Sequence, residues 1–475
     1  MIEMKGTLTL SPFIKNNHCF LMDSNDIANF TITIDQGVSR KIPLLLILRD
    51  PKGYVRIQYQ TPIVDGKLVV ATNPNFCSAG CVGGEITPGN WELEVVYTPH
   101  CAKKALKFTG KRVDYTVNIL VNDELGQEYN REHFCKENVF IHENDFEKVV
   151  NEECRWYKGD FHVHTNLTDG EINDELAMIV CERQELDFLY VTEHNIIMPS
   201  YQEGSTLIIP SMELTTPYGH YNIFGMKEYV NFTEYLDELL SAKSMNELFS
   251  LMKEKGYLIS VNHPFMKPWA NQININLENV HTMEIMCDPT YKKSKPSTLE
   301  ALEFFDQIWL SGLNIWGIGG SDSHLHPSKT FPESKDPSIY GDPATYVLCN
   351  GLSIKNLKDA ISKGRIYFSR FRKLEINIQN EGKTIYVGGE AQGNIHYNIC
   401  TDKPCEWRMI VNGQMTEKEF GNQVTFDFSL NEGAYARVEG WEDDELVAFI
   451  NPIHNNVRHK NLKTWYEVLG GVEGE

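Results

Sequence analysis

The chain has 475 residues, 41% of them hydrophobic, and a formal net charge of −21, which leaves room for about three domains of ordinary size with real cores. An acidic surface opposes unspecific binding to nucleic acid or anionic membranes and disfavours a nucleic acid polymer as partner. The longest unbroken apolar run, residues 42–48 with Pro43 inside it, is far too short to span a bilayer, so no membrane is expected.

The opening Met1-Ile2-Glu3-Met4-Lys5-Gly6 has no apolar h-region, and 11 scattered Cys suit a reducing cytosol better than a disulfide framework. Both point to a cytoplasmic protein. Residues 1–150 alternate in short β-rich runs at 30–34, 43–48, 54–59, 67–71, 91–97 and 114–121. Turn signals separate them, among them Asp50-Pro51-Lys52-Gly53, Asp65-Gly66 and Pro88-Gly89-Asn90, and this punctuation predicts a β-sandwich. Within it, Cys77-x-x-x-Cys81 with His100-Cys101 nearby is the one spacing that suggests a zinc. It lies in a Gly- and Pro-rich loop without a second Cys-x-x-Cys, so the structural-zinc reading is the weaker one. Residues 137–155 read as a charged connector into Trp156.

From 151 to 370 the pattern changes. Apolar runs at 186–191, 207–212, 257–261 and 313–318 read as strands, while 174–184, 245–255 and 299–311 carry apolar residues at helical spacing. That alternation predicts a β/α layout with a parallel sheet or barrel, in which chemistry collects at the carboxyl ends of the strands. At or just beyond those ends stand Asp160-Phe161-His162-Val163-His164 with Asp169, Thr192-Glu193-His194-Asn195, Glu213, His220, Asn262-His263-Pro264 and Gly320-Ser321-Asp322-Ser323-His324. His162 and His164 alternate with Phe161 and Val163, which points both imidazoles to one side. Imidazoles and carboxylates bind Zn, Mn or Fe. A lone His at a strand end is more often a satisfied core residue than a ligand, but an ordered series within one β/α segment reverses that balance. The set also has too many ligands for one closed structural ion.

After a helix at 354–363 the alternation returns, at 375–379, 407–411, 424–428, 434–441 and 445–450. It predicts a second small β-sandwich over 371–460, followed by a polar tail at 461–475.

These motifs resemble those of the polymerase and histidinol phosphatase (PHP) superfamily: an early His-x-His, a later Thr-Asp/Glu-His, a bridging Glu, a His-Pro and a closing Asp-x-His. The resemblance covers about residues 156–370. Leu48-Arg49-Asp50-Pro51-Lys52-Gly53 and Ile86-Thr87-Pro88-Gly89-Asn90-Trp91 resemble the amino-terminal domain of its carbaryl hydrolase-like branch. The implied fold is α/β, a distorted (β/α)7 PHP barrel at 151–370 flanked by amino- and carboxyl-terminal β-sandwich domains. The implied cofactors are two or three divalent metal ions per chain (Zn, Mn or Fe). His162, His164, Glu213 and Asp322 would hold the first. Glu213 would bridge to a second that takes His263 and, on even terms with a hydrogen-bonding role, His220. Asp169, His194 and His324 would form a third site. Asp169 stands where many relatives have His, and the branch with Asp there commonly behaves as phosphoesterases or related hydrolases.

Two ions sharing Glu213 can lower the pKa of a bridging water and present it as hydroxide, so Glu213, Asp322 and His263 are the expected catalytic residues. Lys267, Arg365 and Asn195 are expected to bind substrate, with Arg370, Arg372 and Trp269 as further candidates near the barrel loops. Cys287 reads as packing before ligand, and His326 as a surface residue before a proton donor. The leading expectation is a phosphoesterase acting on a small or nucleotide-like anionic substrate. The alternatives are a carboxyl-ester, amide or carbamate hydrolase and a non-catalytic binding scaffold, with homo-oligomerisation left open.

Overall fold

Two antiparallel four-stranded sheets account for the alternating runs at the amino end. One orders its strands Ile2–Thr9, Arg112–Val121, Asn29–Asp35, Leu68–Ala71, and the other Ile14–Met22, Gly89–Tyr97, Leu45–Arg49, Val55–Gln60. Their facing sides bury Phe30, Ile57, Leu93 and Trp91, whose ring meets that of Phe30 edge-on at 5.3 Å. This is the sandwich arrangement that period-two alternation requires. The computed structural model describes residues 1–39, 42–136, 139–140, 146–457 and 462–473. Part of the expected connector, 137–138 and 141–145, therefore lies outside the described residues.

The central region is mixed α/β. Its strands are β1 (Asn151–Asp160), β2 (Phe188–Val191), β3 (Leu207–Thr216), β4 (Gly219–Phe224), β5 (Leu258–Val261), β6 (Thr282–Cys287), β7 (Trp316–Gly320), β8 (Ala344–Leu352) and β9 (Ile366–Ser369). They are ordered β7-β6-β5-β4-β3-β2-β1-β8-β9 within one large sheet. β1, β2 and β3 pair in parallel, as do β5, β6 and β7, but the tight turn at 216–219 makes β4 antiparallel to both neighbours. Helices Asp174–Arg183, Ala242–Glu254, Ser294–Leu310 and Ile354–Ser362 occupy the segments with helical periodicity. Three of them begin with a side-chain cap: Asn173, Ser241 and Ser353 each accept from a backbone N–H of the first turn.

The sheet curls so that β7 returns toward β1. Beyond the strand ends Val163 bridges Ser323, and Asp322 N–H donates to the His162 carbonyl at 2.8 Å. Lower down, side chains replace a strand ladder. Thr345 Oγ1 accepts from Gly319 N–H at 3.0 Å and donates back to its carbonyl at 2.7 Å, and the Asn451 amide does the same for Gly317 at 2.7 Å each way.

The carboxyl-terminal strands are not a detached unit. β9 pairs with Glu445–His454, which continues the sheet through Tyr435–Glu442 and the long Gly393–Val411 to Leu374–Asn380, and Gln414–Leu430 folds back on Gly393–Val411. This part has its own apolar cluster around Trp407, Tyr397, Phe426 and Ile450. Where the sequence predicts a polar tail, residues Trp465–Glu473 form a helix. Trp465 is 1% exposed and packs on Phe304 at 4.3 Å and Phe265 at 5.7 Å. Trp465 docks it, and Tyr466 beside it donates its hydroxyl to the Gln272 carbonyl at 2.7 Å. No helix among the described residues is long and apolar enough to cross a membrane.

Candidate metal centre

Four strands end in a residue forced into the left-handed region: Asn195 after β2 (φ 57°), His263 after β5 (φ 27°), Asp288 after β6 (φ 36°) and Asp322 after β7 (φ 47°). None is Gly, so each conformation carries strain that the surrounding structure must hold in place. The effect is to turn the chain sharply where the strands deliver their polar side chains.

His162 is fixed from behind. Its Nδ1 lies 2.7 Å from Glu284 Oε1, so the N–H points at the carboxylate and Nε2 is left for the centre. Around that Nε2 stand His164 Nε2 at 3.1 Å, Glu213 Oε1 at 3.2 Å and Asp322 Oδ1 at 3.3 Å, and His164 Nε2 is itself 3.2 Å from Asp322 Oδ1 and 3.7 Å from Glu213 Oε2. A tetrahedral ion with ligands at about 2.0–2.1 Å spaces its ligand atoms about 3.3 Å apart, close to the separations of His162 Nε2, His164 Nε2 and Asp322 Oδ1, with Glu213 alongside.

The same oxygen, Glu213 Oε1, also faces His220 Nδ1 at 3.2 Å and His263 Nε2 at 3.5 Å, while Oε2 lies 2.6 Å from His194 Nδ1. Burial lowers the pKa of His220, and its Nε2 donates to the His100 carbonyl at 2.8 Å. The neutral ring therefore turns a lone pair from Nδ1 toward a carboxylate oxygen, an arrangement that a cation between them would satisfy. A further group joins Asp169 Oδ1 to His194 Nε2 at 3.1 Å and to His324 Nε2 at 3.2 Å, with His164 alongside. His324 Nδ1 is committed to the Asp322 carbonyl at 2.8 Å, which again leaves Nε2 facing the centre. Neither His164 Nδ1 nor His263 Nδ1 has a hydrogen-bond partner, although both residues are buried. The donor spacing and the fixed tautomers of His162 and His324 fit bound divalent ions.

The charges depend on one another. Burial opposes ionisation of Glu213, but His162 and His194 outweigh it and hold the carboxyl well below its usual range. Burial likewise opposes the charge on Asp169, and His194 and His324 overcome it. In return, against the effect of burial, Asp169 and Glu213 raise His194 to about 10, and Asp169 raises His324 to about 9. His164, buried and beside His324 and His194, is lowered to about 3 and stays neutral.

All nine expected ligands, His162, His164, Asp169, His194, Glu213, His220, His263, Asp322 and His324, converge on this centre, the three expected catalytic residues among them. The expected substrate-binding residues do not. Asn195 is buried, with its amide spent on Thr215: Nδ2 donates to the carbonyl and Oδ1 accepts the N–H, both at 3.0 Å. Arg365 precedes β9 at the opposite end of the sheet, because Ser369 is the end that pairs with Ala344, and its guanidinium lies 5.0 Å from the Tyr386 ring. Lys267 is exposed and stands outside the cavity wall, although its neighbours Met266 and Trp269 form part of it. Arg370 is held by Asp342 at 2.8 Å and Arg372 by Glu442, and His326 turns to Ser328. Cys77, Cys81 and Cys101 enter no cluster of candidate ligand atoms among the described residues. Cys287 lies beside the first group, its thiol pushed well up by burial and donating to Asp322 Oδ2 at 3.4 Å.

Sequence reasoning passed over Glu284, Lys104 and Asp288, and weighed His100 only as a zinc partner of Cys77 and Cys81. A carboxylate inside the apolar run Met283-Glu284-Ile285-Met286 was a signal for Glu284, since such a group survives burial only with partners. His100 and Lys104 carried none, because they arrive from the amino-terminal sandwich. The cavity above the donor groups has a volume of about 230 Å³. His100, Lys104, Asp288 and the apolar side chains Met266, Trp269, Tyr291, Leu325 and Phe331 complete its walls.

No family model matches the chain, and no curated protein matches it. Among solved structures, a Bifidobacterium adolescentis protein named for metal-dependent phosphoesterase activity aligns at 11% identity over 38% of this chain and 92% of its own, with a TM-score of 0.25. An FMN-binding β-glucuronidase from Facaelibacterium prausnitzii aligns at 8% identity over 95% of this chain and 92% of its own, with a TM-score of 0.20. Likenesses of this size assign neither fold nor activity, and the donor groups carry the functional reading.

Proposed function

We propose that the chain is a metal-dependent hydrolase of the PHP type, most directly a phosphoesterase. In this reading β1–β7 form a distorted barrel over 151–370, between a sandwich at 1–150 and a β-domain at 371–460, and its centre takes two or three Zn, Mn or Fe ions. The observation that carries it is that the Nε2 atoms of His162 and His164 lie 3.1 Å apart and each within 3.2–3.7 Å of both the Asp322 and the Glu213 carboxylates, with Glu213 also facing His220 and His263. Bound ions would supply Lewis acidity toward a phosphoryl oxygen and a water made nucleophilic near neutral pH. Glu284 orients His162, the His100 carbonyl orients His220, and Thr215 Oγ1 stands 2.7 Å from His194 Nδ1. The cavity volume falls below the roughly 300–1,000 Å³ of sites that enclose drug-sized ligands, which favours a small substrate over a polymer. Trp269, Tyr291 and Phe331 offer a planar apolar surface to an aryl or base-like group.

Metal content by mass spectrometry on chain purified without chelator, with turnover of an aryl phosphate monoester, diester and carboxyl ester under added Mn or Zn, tests the reading. Two or three ions per chain and phosphoester turnover lost in His162→Ala are expected. Two ions with carboxyl-ester turnover alone would transfer the assignment to ester or carbamate hydrolysis. Fewer than one ion per chain, with no gain on adding Mn or Zn, would overturn it.

A further inference from the structure

The amino-terminal sandwich reaches into the cavity. The loop after strand Gly89–Tyr97 leads through Thr98-Pro99-His100-Cys101 into helix Ala102–Phe108, and both His100 and Lys104 line the wall. His100 is 5% exposed and lies against the His194 ring, with centroids 4.4 Å apart. Its Nδ1 is 3.7 Å from Asp169 Oδ2, beyond hydrogen-bond reach, and its Nε2 has no partner. Buried polar atoms are normally satisfied, so an imidazole that lines a cavity with neither ring nitrogen hydrogen-bonded is open to a ligand. The loop is not free to turn the ring away, because the His100 carbonyl is held by His220.

Lys104 follows one helical turn later. Among the described lining residues it alone is a Lys or Arg, and its side chain is drawn into no ion pair with a described residue. The sandwich itself is docked firmly. Gln58 Oε1 accepts from Ile197 N–H at 2.7 Å, and Thr233 Oγ1 donates to Glu94 Oε2 at 2.8 Å.

We propose that the His100 imidazole and Lys104 Nζ bind the phosphoryl group of a small phosphomonoester at the edge of the donor cluster, where His100 packs against His194. The substrate's planar group then lies against Trp269, Tyr291 and Phe331. The inference rests on the phosphoesterase reading and deepens it, because it makes the amino-terminal domain a part of the substrate site. Lys104 supplies fixed charge, which no other described lining side chain provides, and His100 supplies a directed contact.

The test uses the full chain loaded with Mn or Zn, inorganic phosphate as the binding probe in calorimetry, and an aryl phosphate for kinetics. Lys104→Gln and His100→Gln are compared with Lys103→Gln, an exposed neighbour outside the cavity lining. Unchanged metal content, phosphate Kd and KM each raised about tenfold, and kcat within a few-fold are expected for the first two, with no change for Lys103→Gln. Wild-type phosphate affinity and KM in both variants, with metal retained, would overturn the proposal and leave the phosphoesterase reading standing. Loss of metal in His100→Gln would make His100 a ligand and overturn its assigned role, while Lys104→Gln still decides the anion contact. A loaded wild-type chain that binds no phosphate and hydrolyses only carboxyl esters would overturn both readings.

Discussion

Glu284 is the residue through which the centre is most exposed to a conservative change. It is 1% exposed, and its two oxygens do different work: Oε1 receives His162 Nδ1–H at 2.7 Å, and Oε2 receives the His263 backbone N–H at 2.7 Å. Glu284→Gln keeps the shape but has one acceptor where two are needed. If the amide oxygen stays on the His263 N–H, the NH2 faces His162 and drives its proton to Nε2, the atom that points at the centre. If it flips, the NH2 meets the His263 N–H and the turn after β5 loses its anchor. Either way one ligand is misdirected, and loss of such a supporting carboxylate costs about 10–100-fold in metal affinity, or about 1.4–2.7 kcal/mol. Competition titration against a chelator measures it directly, with the melting temperature of the metal-free protein as the control for folding. Wild-type metal affinity in a folded Glu284→Gln protein would refute the claim that His162 is held by this hydrogen bond.

Gly320→Ala should reproduce the defect by crowding, since a Cβ there would lie 2.5 Å from Glu284 Oε1 and 2.6 Å from His162 Cβ. Weakened metal binding at near-wild-type secondary structure, read by titration and circular dichroism, is expected, and unaltered affinity would contradict it. Metal loading at pH 7.5 should release about three protons, because His162, which against burial Asp322 and Glu284 hold well above its ordinary value, His194 raised to about 10 and His324 raised to about 9 are all protonated without metal. Calorimetry in buffers of different ionisation enthalpy reads the number, and none released would refute the pairing with Asp169. The sign for stability follows: pKa values raised above the unfolded 6.5 contribute fully below that pH, and the contribution is lost as pH rises through 9 and 10. The melting temperature of the metal-free protein should therefore fall from pH 7 to 10 more than that of the loaded protein. Trp465→Ala should cost about 3–5 kcal/mol in denaturant unfolding, the usual range for emptying a buried aromatic site. A cost below about 1 kcal/mol would show that the carboxyl-terminal helix is not docked.

The candidate ligands were legible because most of them stand at or just beyond the end of an apolar run, and because their residue types are expensive to bury without purpose. The carboxyl-terminal strand boundaries of the centre were less so. The sequence predicts a strand at 313–318, whereas β7 is Trp316–Gly320. Gly319 and Gly320 fall beyond the expected strand but belong to β7, whose glycines are forced small by neighbours: a Cβ on Gly317 would lie 2.6 Å from Phe449, and one on Gly319 would lie 2.6 Å from Pro343. That crowding comes from segments more than twenty residues away in the chain, and no local pattern encodes it. Arg365 failed as a substrate contact for a related reason. Proximity to a strand says nothing about which end of the strand, and only the β8–β9 register places it opposite the centre. His100 lay in plain view but was weighed only beside Cys77, Cys81 and Cys101, since nothing in one chain segment announces which other domain it will meet.

The same accounting explains why the centre should be unstable alone. Asp169, Glu213, Glu284 and Asp322 are four carboxylates gathered around the imidazoles, three of them with side chains no more than 18% exposed and Asp169 at 42%. Burying charges costs several kcal/mol each unless opposite charge is supplied. Among the described lining residues Lys104 is the one fixed cation. The balance must then come from protons on His162, His194 and His324 or from bound metal, and protons are a poor substitute in two respects. They leave as pH rises, and they bond one acceptor each where Glu213 faces His162, His194, His220 and His263 together. Metal should therefore stabilise the whole central region by RT ln(1 + [M]/Kd), about 4 kcal/mol at a thousandfold excess over Kd. A chain stripped by chelator should melt well below the loaded one, and identical melting curves would mean that the cluster is neutralised by protons alone.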